Sequence, residues 1–263
     1  MNCMKYIDQL KMSELNIRFI KSGNFPHFIL LFIFCCSLFS ACKDKEEEVA
    51  IETGTVTDID GNTYRTIKIG NQWWMAENLR TKTYRDGQPV EEINNSTSWN
   101  DTNAGFCIYP GATTEMGLLY NWYAVNHTSG LAPDGWHIPT DTEWKQLEEF
   151  LGMSSSASGQ TGWRGSAEGD AMKASGTTVW TFYEGVWATN SSGFSAVAGS
   201  CREVNGEFGY PGIRCTGFWW TATENLAKSN KVWYRYLDYK KSSVFRQFES
   251  KRFGFSVRCV KNN

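Results

Sequence analysis

Histidine is scarce in this chain, with three in 263 residues and only His127 and His137 after residue 42. Metal-dependent chemistry draws on clustered histidines, cysteines and carboxylates, and no carboxylate stands at metal-ligand spacing beside both histidines. There is no CxxC pair and no histidine near a cysteine in sequence, so no zinc site and no metal cofactor is expected. Gly-rich phosphate cradles and nucleophile elbows are missing as well. Charge of one sign is missing: the net charge is −2, which leaves no field to steer nucleic acid, and nucleic acid is not an expected partner. The longest apolar run, residues 28–39, falls short of the ~20 residues that span a bilayer. No proline-rich break or tandem repeat divides the body. What the chain has in abundance is aromatic residues, 15% of the total with 12 Trp, so either the core or a binding face is rich in rings.

The apolar run has a leader's layout. Arg18 and Lys21 precede it, and the small residues Ser40 and Ala41 close it before Cys42. Residues 1–41 read as a signal peptide. Leu38-Phe39-Ser40-Ala41-Cys42 resembles a lipobox, with Phe39 where a leucine is usual. Cys42 is therefore the expected lipidation site, and the membrane a partner through its acyl chains. Residues 42–53 form a linker whose run Lys43-Asp44-Lys45-Glu46-Glu47-Glu48 reads as a solvated tether. That run also resembles the acidic export signals of surface lipoproteins in the Bacteroidota. The expected location is the cell envelope, as an outer membrane lipoprotein facing either the periplasm or the cell surface. The globular domain is expected over 54–263.

The body keeps Cys107, Cys201, Cys215 and Cys259. An even number in an exported chain points to disulfides, with three connectivities open. A nested pairing is favoured: Cys201–Cys215 would close a short Gly-rich loop, and Cys107–Cys259 would tie the early domain to its last strand.

Local patterns predict strands over Thr55–Asp58, Tyr64–Ile69 and Gln72–Met75, with Asp60-Gly61-Asn62 as hairpin punctuation. Thr140-Asp141-Thr142-Glu143 is a capping box opening a helix that carries Trp144, Leu147 and Leu151, with Gly152 as its stop. Gly117–Val125 reads as a further helix and 167–174 as a short one. Ser154–Gly159 reads as a small-residue loop. Three strands close the chain: Val232–Leu237, Ser243–Phe248 and Gly254–Val260, the last with Phe255, Val257 and Cys259 on one face.

Five motifs in order give the chain a resemblance. They are Ile69-Gly70-Asn71-Gln72-Trp73-Trp74-Met75-Ala76-Glu77-Asn78-Leu79, Gly117–Val125, Leu131–Thr140, Phe218–Glu224 and Gly254–Val260. Over about residues 54–261 the sequence resembles the Fibrobacter succinogenes major paralogous domain family, itself similar to C-type-lectin-like and formylglycine-generating-enzyme-like folds. The resemblance implies an α+β, C-type-lectin-like domain: a small twisted antiparallel sheet, one or two helices and long irregular loops. It supports pairing Cys107 with Cys259, positions where members often carry cysteines. It makes Cys201 and Cys215 an addition that pairs with itself. Cys201 and Cys215 stand too far apart to match the close cysteine pair of the formylglycine-generating enzymes. Some variable proteins with this kind of domain present ligand contacts near the C-terminus.

The expected function is a cell-envelope lipoprotein presenting a non-enzymatic module that binds a glycan or a protein. The alternatives are a structural or adhesive envelope protein and, third, an enzyme of unknown reaction. Tyr, Trp and Arg are enriched at binding hot spots, and Tyr234, Tyr236 and Arg246 are the expected exposed set. The Gly206–Gly217 loop is a candidate for the same face. Trp73, Trp74, Trp219 and Trp220 read as scaffold, and His137 as a packed loop residue. Glu143, Glu148 and Glu149 read as capping or solvated. Trp99-Asn100-Asp101 matches a lectin calcium tripeptide only by coincidence of sequence, since it lies before the main helix.

Overall fold

The computed structural model describes residues 51–262 apart from Thr177 and Tyr210. The signal peptide, Cys42 and nearly all of the acidic linker lie outside the described residues. Strands β1 (Thr53–Thr57) and β2 (Thr63–Ile69) form the expected hairpin, with Val56 opposite Tyr64. A carboxylate builds its turn: Asp58 accepts from the backbone N–H of Asp60 and Asn62 at 3.0 and 2.9 Å and from the Tyr64 hydroxyl at 2.6 Å. Short acidic side chains stabilise turns in this way.

Then come β3 (Gln72–Met75), β4 (Glu91–Glu92), α1 (Ser96–Trp99), β5 (Gly105–Cys107), a 3-10 turn at Thr114–Met116, β6 (Leu119–Tyr120), α2 (Trp122–Val125) and β7 (Trp136–His137). They are followed by α3 (Asp141–Phe150), α4 (Ser155–Ser158), β8 (Gly162–Arg164), α5 (Glu168–Met172), β9 (Thr216–Glu224), β10 (Lys231–Asp238), β11 (Val244–Ser250) and β12 (Val260–Lys261). The class is α+β, as expected, but the described residues hold three sheets rather than one. Their orders are β1-β2-β3-β12-β7, β8-β11-β10-β9 and β4-β5-β6. Among the helices of the described residues, only α3 reaches ten residues.

Strand alternation separates the two larger of three hydrophobic clusters. Neighbouring side chains on a strand point to opposite faces. Tyr64, Met75, Trp220 and Tyr234 enter one cluster with Phe106, Tyr120, Phe255, Val257 and Cys259. Ile67, Ile69, Trp74, Trp219, Leu237 and Val260 enter the other, with Trp144, Leu147 and Phe194. The tryptophan doublets therefore span the layer: Trp74, Trp219 and Trp220 are fully buried, and Trp73 packs half-buried on the first cluster. Phe255, Val257 and Cys259 share a face as predicted. Regular strand, however, is confined to β12, and Gly254, Phe255 and Ser256 are held by single bridges to Arg202, Tyr120 and Trp219.

Helix α3 carries the predicted capping box. The Thr140 hydroxyl accepts from the Glu143 N–H at 3.2 Å, and Glu143 accepts from the Thr140 N–H at 2.7 Å. It ends in a Schellman pattern, Gly152 N–H to Glu149 C=O and Met153 N–H to Glu148 C=O, with Gly152 at φ +113 where a Cβ would be strained. Trp144 and Leu147 face the second core.

The same helix face carries Asp141 and Glu148 into contact with three arginines of the sheet. Arg246 donates to both Asp141 oxygens at 2.8 Å, and Arg235 to Asp141 at 2.8 Å and to Glu148 at 2.5 Å. Arg164 grips Glu148 bidentately at 2.7 and 3.0 Å. Burial works to raise the Asp141 pKa, but the hydrogen bonds and charges of Arg246 and Arg235 outweigh it and hold the carboxyl well below the usual range. Glu148 is fully buried, not solvated as expected. A paired carboxylate reads like any exposed helical glutamate until its partners' strands are placed.

Other expectations change too. Gly117–Val125 is not one helix. Gly117 (φ +70) sits where a Cβ would lie 2.7 Å from the Leu79 carbonyl oxygen, β6 follows, and Asn121 caps α2 by accepting from the Ala124 N–H. Ser154–Gly159 is α4 with its caps rather than a loop. Neither expected disulfide is formed, and all four cysteines are free thiols. Cys107 packs with Ile93, Trp99 and Leu119, whereas Cys259 belongs to the first core. The Cys201 thiol lies against Gly209, and that of Cys215 is 3.6 Å from the Thr181 hydroxyl.

Removing one member of a buried pair strands the others, so Glu148→Ala should cost about 3–5 kcal/mol in urea unfolding; a loss under 1 kcal/mol would show the network to be incidental. A carboxyl with a depressed folded pKa adds stability that is full above its unfolded value, about 4, and lost as pH falls toward the folded value. The stability gap between the native chain and Asp141→Asn should therefore be constant at neutral pH and shrink below about pH 4. Non-reducing peptide mapping should recover no Cys107–Cys259 link, and finding that link would contradict the packing of Cys107.

Candidate functional site

The β8-β11-β10-β9 sheet has two unlike faces. Helix α3 covers one, through Trp144 and the arginine–carboxylate network. On the other, the registers align one ring per strand. Trp163 on β8 is opposite Phe245 on β11, Phe245 is opposite Tyr236 on β10, and Tyr236 is opposite Phe218 on β9. Ring centroids along this row are 5.1, 5.8 and 4.5 Å apart, and Phe218 and Tyr236 stack at 11°. Such contacts hold each ring beyond what area burial supplies. Tyr234 and Phe255 form the buried floor, their centroids 5.0 Å apart. The row itself is half-buried, and Trp163 at the sheet edge is 38% exposed.

A polar end sits at the turn after β10. The Tyr236 hydroxyl donates a short hydrogen bond to Asp238, whose other oxygen accepts from the Lys240 N–H at 2.8 Å. Burial, reinforced by Asp238, pushes the Tyr236 phenol well above its ordinary pKa, so it remains a neutral donor. The Lys241 ammonium lies 6.0 Å from the Trp163 ring centre, and that of Lys240 lies 5.1 Å from Tyr239 and 5.7 Å from Tyr183. Beyond them Phe182 and Trp187, both over 60% exposed, contact each other edge-on.

The three expected ligand contacts are thus split. Tyr236 lies in the row. Tyr234 shares its face but is 7% exposed beneath the rings. Arg246 is a correction: it pairs opposite Arg235, faces α3 and is committed to Asp141, with its guanidinium 3.6 Å from the Trp233 ring centre. Alternation puts 234 and 236 on one face, but only the β10–β11 register shows that 246 belongs to the other. Trp163 and Phe218 carry no sequence signal as contacts, because their place beside Tyr236 depends on strand pairing between distant segments of the chain. The Gly206 end of the Gly206–Gly217 loop packs on Ser96 instead, where a Cβ would lie 2.4 Å from the Ser96 Cα.

His137 is on β7, half-exposed, and bonds Glu143 and Asn262 at 2.7 Å each. The Glu143 bond raises its pKa against the opposing effect of burial. Here the ring ties the α3 cap to the end of the chain. Burial pushes the Cys107 thiol up to about 11 and the Cys201 thiol up to about 12, which suppresses thiolate chemistry at both. Trp99 is buried at the end of α1, while Asn100 and Asp101 are exposed. Among the described residues no group of three His, Cys, Asp or Glu side chains is arranged to hold a metal, and no helix is long and apolar enough to cross a membrane.

No curated protein and no solved structure matches the chain. The family model described as the Fibrobacter succinogenes major domain matches residues 67–261, from the end of β2 to the last strand, and so contains the whole ring face and the α3 network. The chain belongs to the Fibrobacter succinogenes major domain family.

Proposed function

We propose that this protein is a cell-envelope lipoprotein, anchored through Cys42 to the outer membrane, whose C-type-lectin-like module binds a glycan or a protein without catalysing a reaction. The observation that carries the reading is the ring row Trp163–Phe245–Tyr236–Phe218, left half-open on the face that α3 does not cover. Stiff rings contribute contact area at low entropic cost. Their flat faces also match the apolar faces of sugars, while Asp238 and Lys241 offer polar contacts at one end. The lectin-like assignment draws support from the five-stranded sheet, where strands from the start and the end of the domain lie in one layer. A purely adhesive envelope role is the second reading. The exposed Phe182, Tyr183 and Trp187 favour it, since they form an apolar patch beside the lysines of the β10–β11 turn.

A glycan array and a protein pull-down with the full chain separate these readings. Trp163→Ala should weaken capture of the ligand about tenfold, roughly the 1.4 kcal/mol of one contact residue, without lowering the unfolding temperature by more than a few degrees. Unchanged binding after that substitution would remove the ring row as the site. Silence on both the array and the pull-down would favour the adhesive role.

A further inference from the structure

A second depression shares no residue with the ring row. It has a volume of about 480 Å³ and lies between the loop at 102–104, helix α2 with the turn that follows it, and Lys251. That volume is within the range of small-ligand pockets, about 300–1,000 Å³. Trp122 makes its floor and is rigidly held. Its indole N–H donates to the Thr221 carbonyl at 3.0 Å, its backbone N–H donates to the Lys251 carbonyl at 2.9 Å, and it is 3% exposed. The Lys251 ammonium lies 4.5 Å from the Trp122 ring centre and 2.9 Å from a Glu224 oxygen, so its charge is neutralised within the wall.

The rim is polar and unspent. Asn126 ends α2 and uses its backbone N–H on the Trp122 carbonyl at 2.9 Å. Its carboxamide, and the hydroxyls of Tyr123 and Thr128, make no hydrogen bond to protein among the described residues. The His127 ring stacks on Tyr84 at 4.3 Å, and its Nδ1 accepts from the Ser129 N–H at 3.3 Å. In the neutral ring the proton is then on Nε2, which becomes a donor. Carboxamides and hydroxyls both donate and accept.

A groove with balanced charge, whose lining mixes apolar surface from Ala104, Trp122 and Tyr123 with several two-way hydrogen-bonding groups, suits neither an anion nor a hydrocarbon. Its complement is a neutral molecule with adjacent hydroxyls, each able to donate and accept. We propose that this groove binds a neutral saccharide unit, with Asn126, Thr128 and His127 contacting its hydroxyls over the Trp122 floor. This site is independent of the ring row and does not rest on the function proposed for it.

The test is a titration of the 15N-labelled full chain with cellobiose, maltose and N,N′-diacetylchitobiose, followed by NMR. With at least one of these, the side-chain amide signals of Asn103 and Asn126 and the Trp122 indole signal should shift together at millimolar sugar. Asn126→Ala and Thr128→Val should each weaken that binding about five- to tenfold, the scale of one lost hydrogen-bond partner, while Trp163→Ala leaves it unchanged. Thr128→Val alters an exposed hydroxyl only, so it tests the site even if Asn126→Ala disturbs α2. No shift at the Asn126 amide with any of the three sugars overturns the proposal. Shifts confined to the Trp163 indole also overturn it, and in that case the reading of the ring row stands.

Discussion

Asp141 lies in the first turn of α3 between two guanidiniums of the central sheet. Arg235 and Arg246 face each other directly across β10 and β11, and like charges in that position repel. The carboxylate makes the pair tenable by bonding both arginines, while Glu148, two turns along the helix, bonds Arg235 and Arg164. Three cations thus share two carboxylates and the carbonyl groups of Ser158, Gly159 and Gln160 at the end of α4, while the buried Arg164 Nε is left without a hydrogen-bond partner. Because every member is buried, the helix has one position on the sheet in which no charge is stranded. That position decides which face of β8-β11-β10-β9 is closed and which stays open.

The open face follows from strand geometry. A residue one place along a strand points the other way, so the register that puts Arg235 opposite Arg246 also puts Tyr236 opposite Phe245. Arginines bound to carboxylates on one side and a row of rings on the other are two consequences of one pairing. A slip of one residue would reverse both. If β11 slipped in this way, Phe245 would face α3 and Arg246 would lose Asp141. The open ring face and the buried charge network are therefore coupled through register rather than through shared residues.

A second buried cation works differently. Arg258 is fully buried and touches no carboxylate among the described residues. It donates to Asn78 Oδ1 at 3.0 Å, to the Met75 and Ser195 carbonyls at 3.2 and 2.7 Å, and to the Phe194 carbonyl. Burial lowers its pKa to about 9. The loop it holds has three non-glycine residues in left-handed backbone, Asn190, Ser195 and Ser200, a conformation that costs free energy unless surrounding contacts enforce it. Arg258 supplies part of that enforcement from the last segment of the chain. The final residues thus hold the long irregular loops in place as well as completing a sheet.

Much of the architecture was legible from local sequence, because its causes are local. The Asp58 turn, the Thr140–Glu143 capping box, the Gly152 stop and the alternation of Phe255, Val257 and Cys259 depend on residues within a few positions of one another. The tryptophan doublets were legible as scaffold for the same reason: adjacent large rings on a strand must serve opposite faces. What the sequence could not show was which strands meet and in what register. Glu148 reads as solvated and Arg246 as free because Glu148 meets Arg164 and Arg235, 16 and 87 residues away, and Arg246 meets Asp141, 105 residues away, only once the strands are placed. The expected thiol pairs failed on the same point, since spacing along the chain says nothing about which cluster a cysteine enters. Composition announced a surplus of rings. Only the tertiary pairing of β8, β9, β10 and β11 decided which of them line up in the open, because the energy that selects a register comes from contacts across the sheet and beneath the helix.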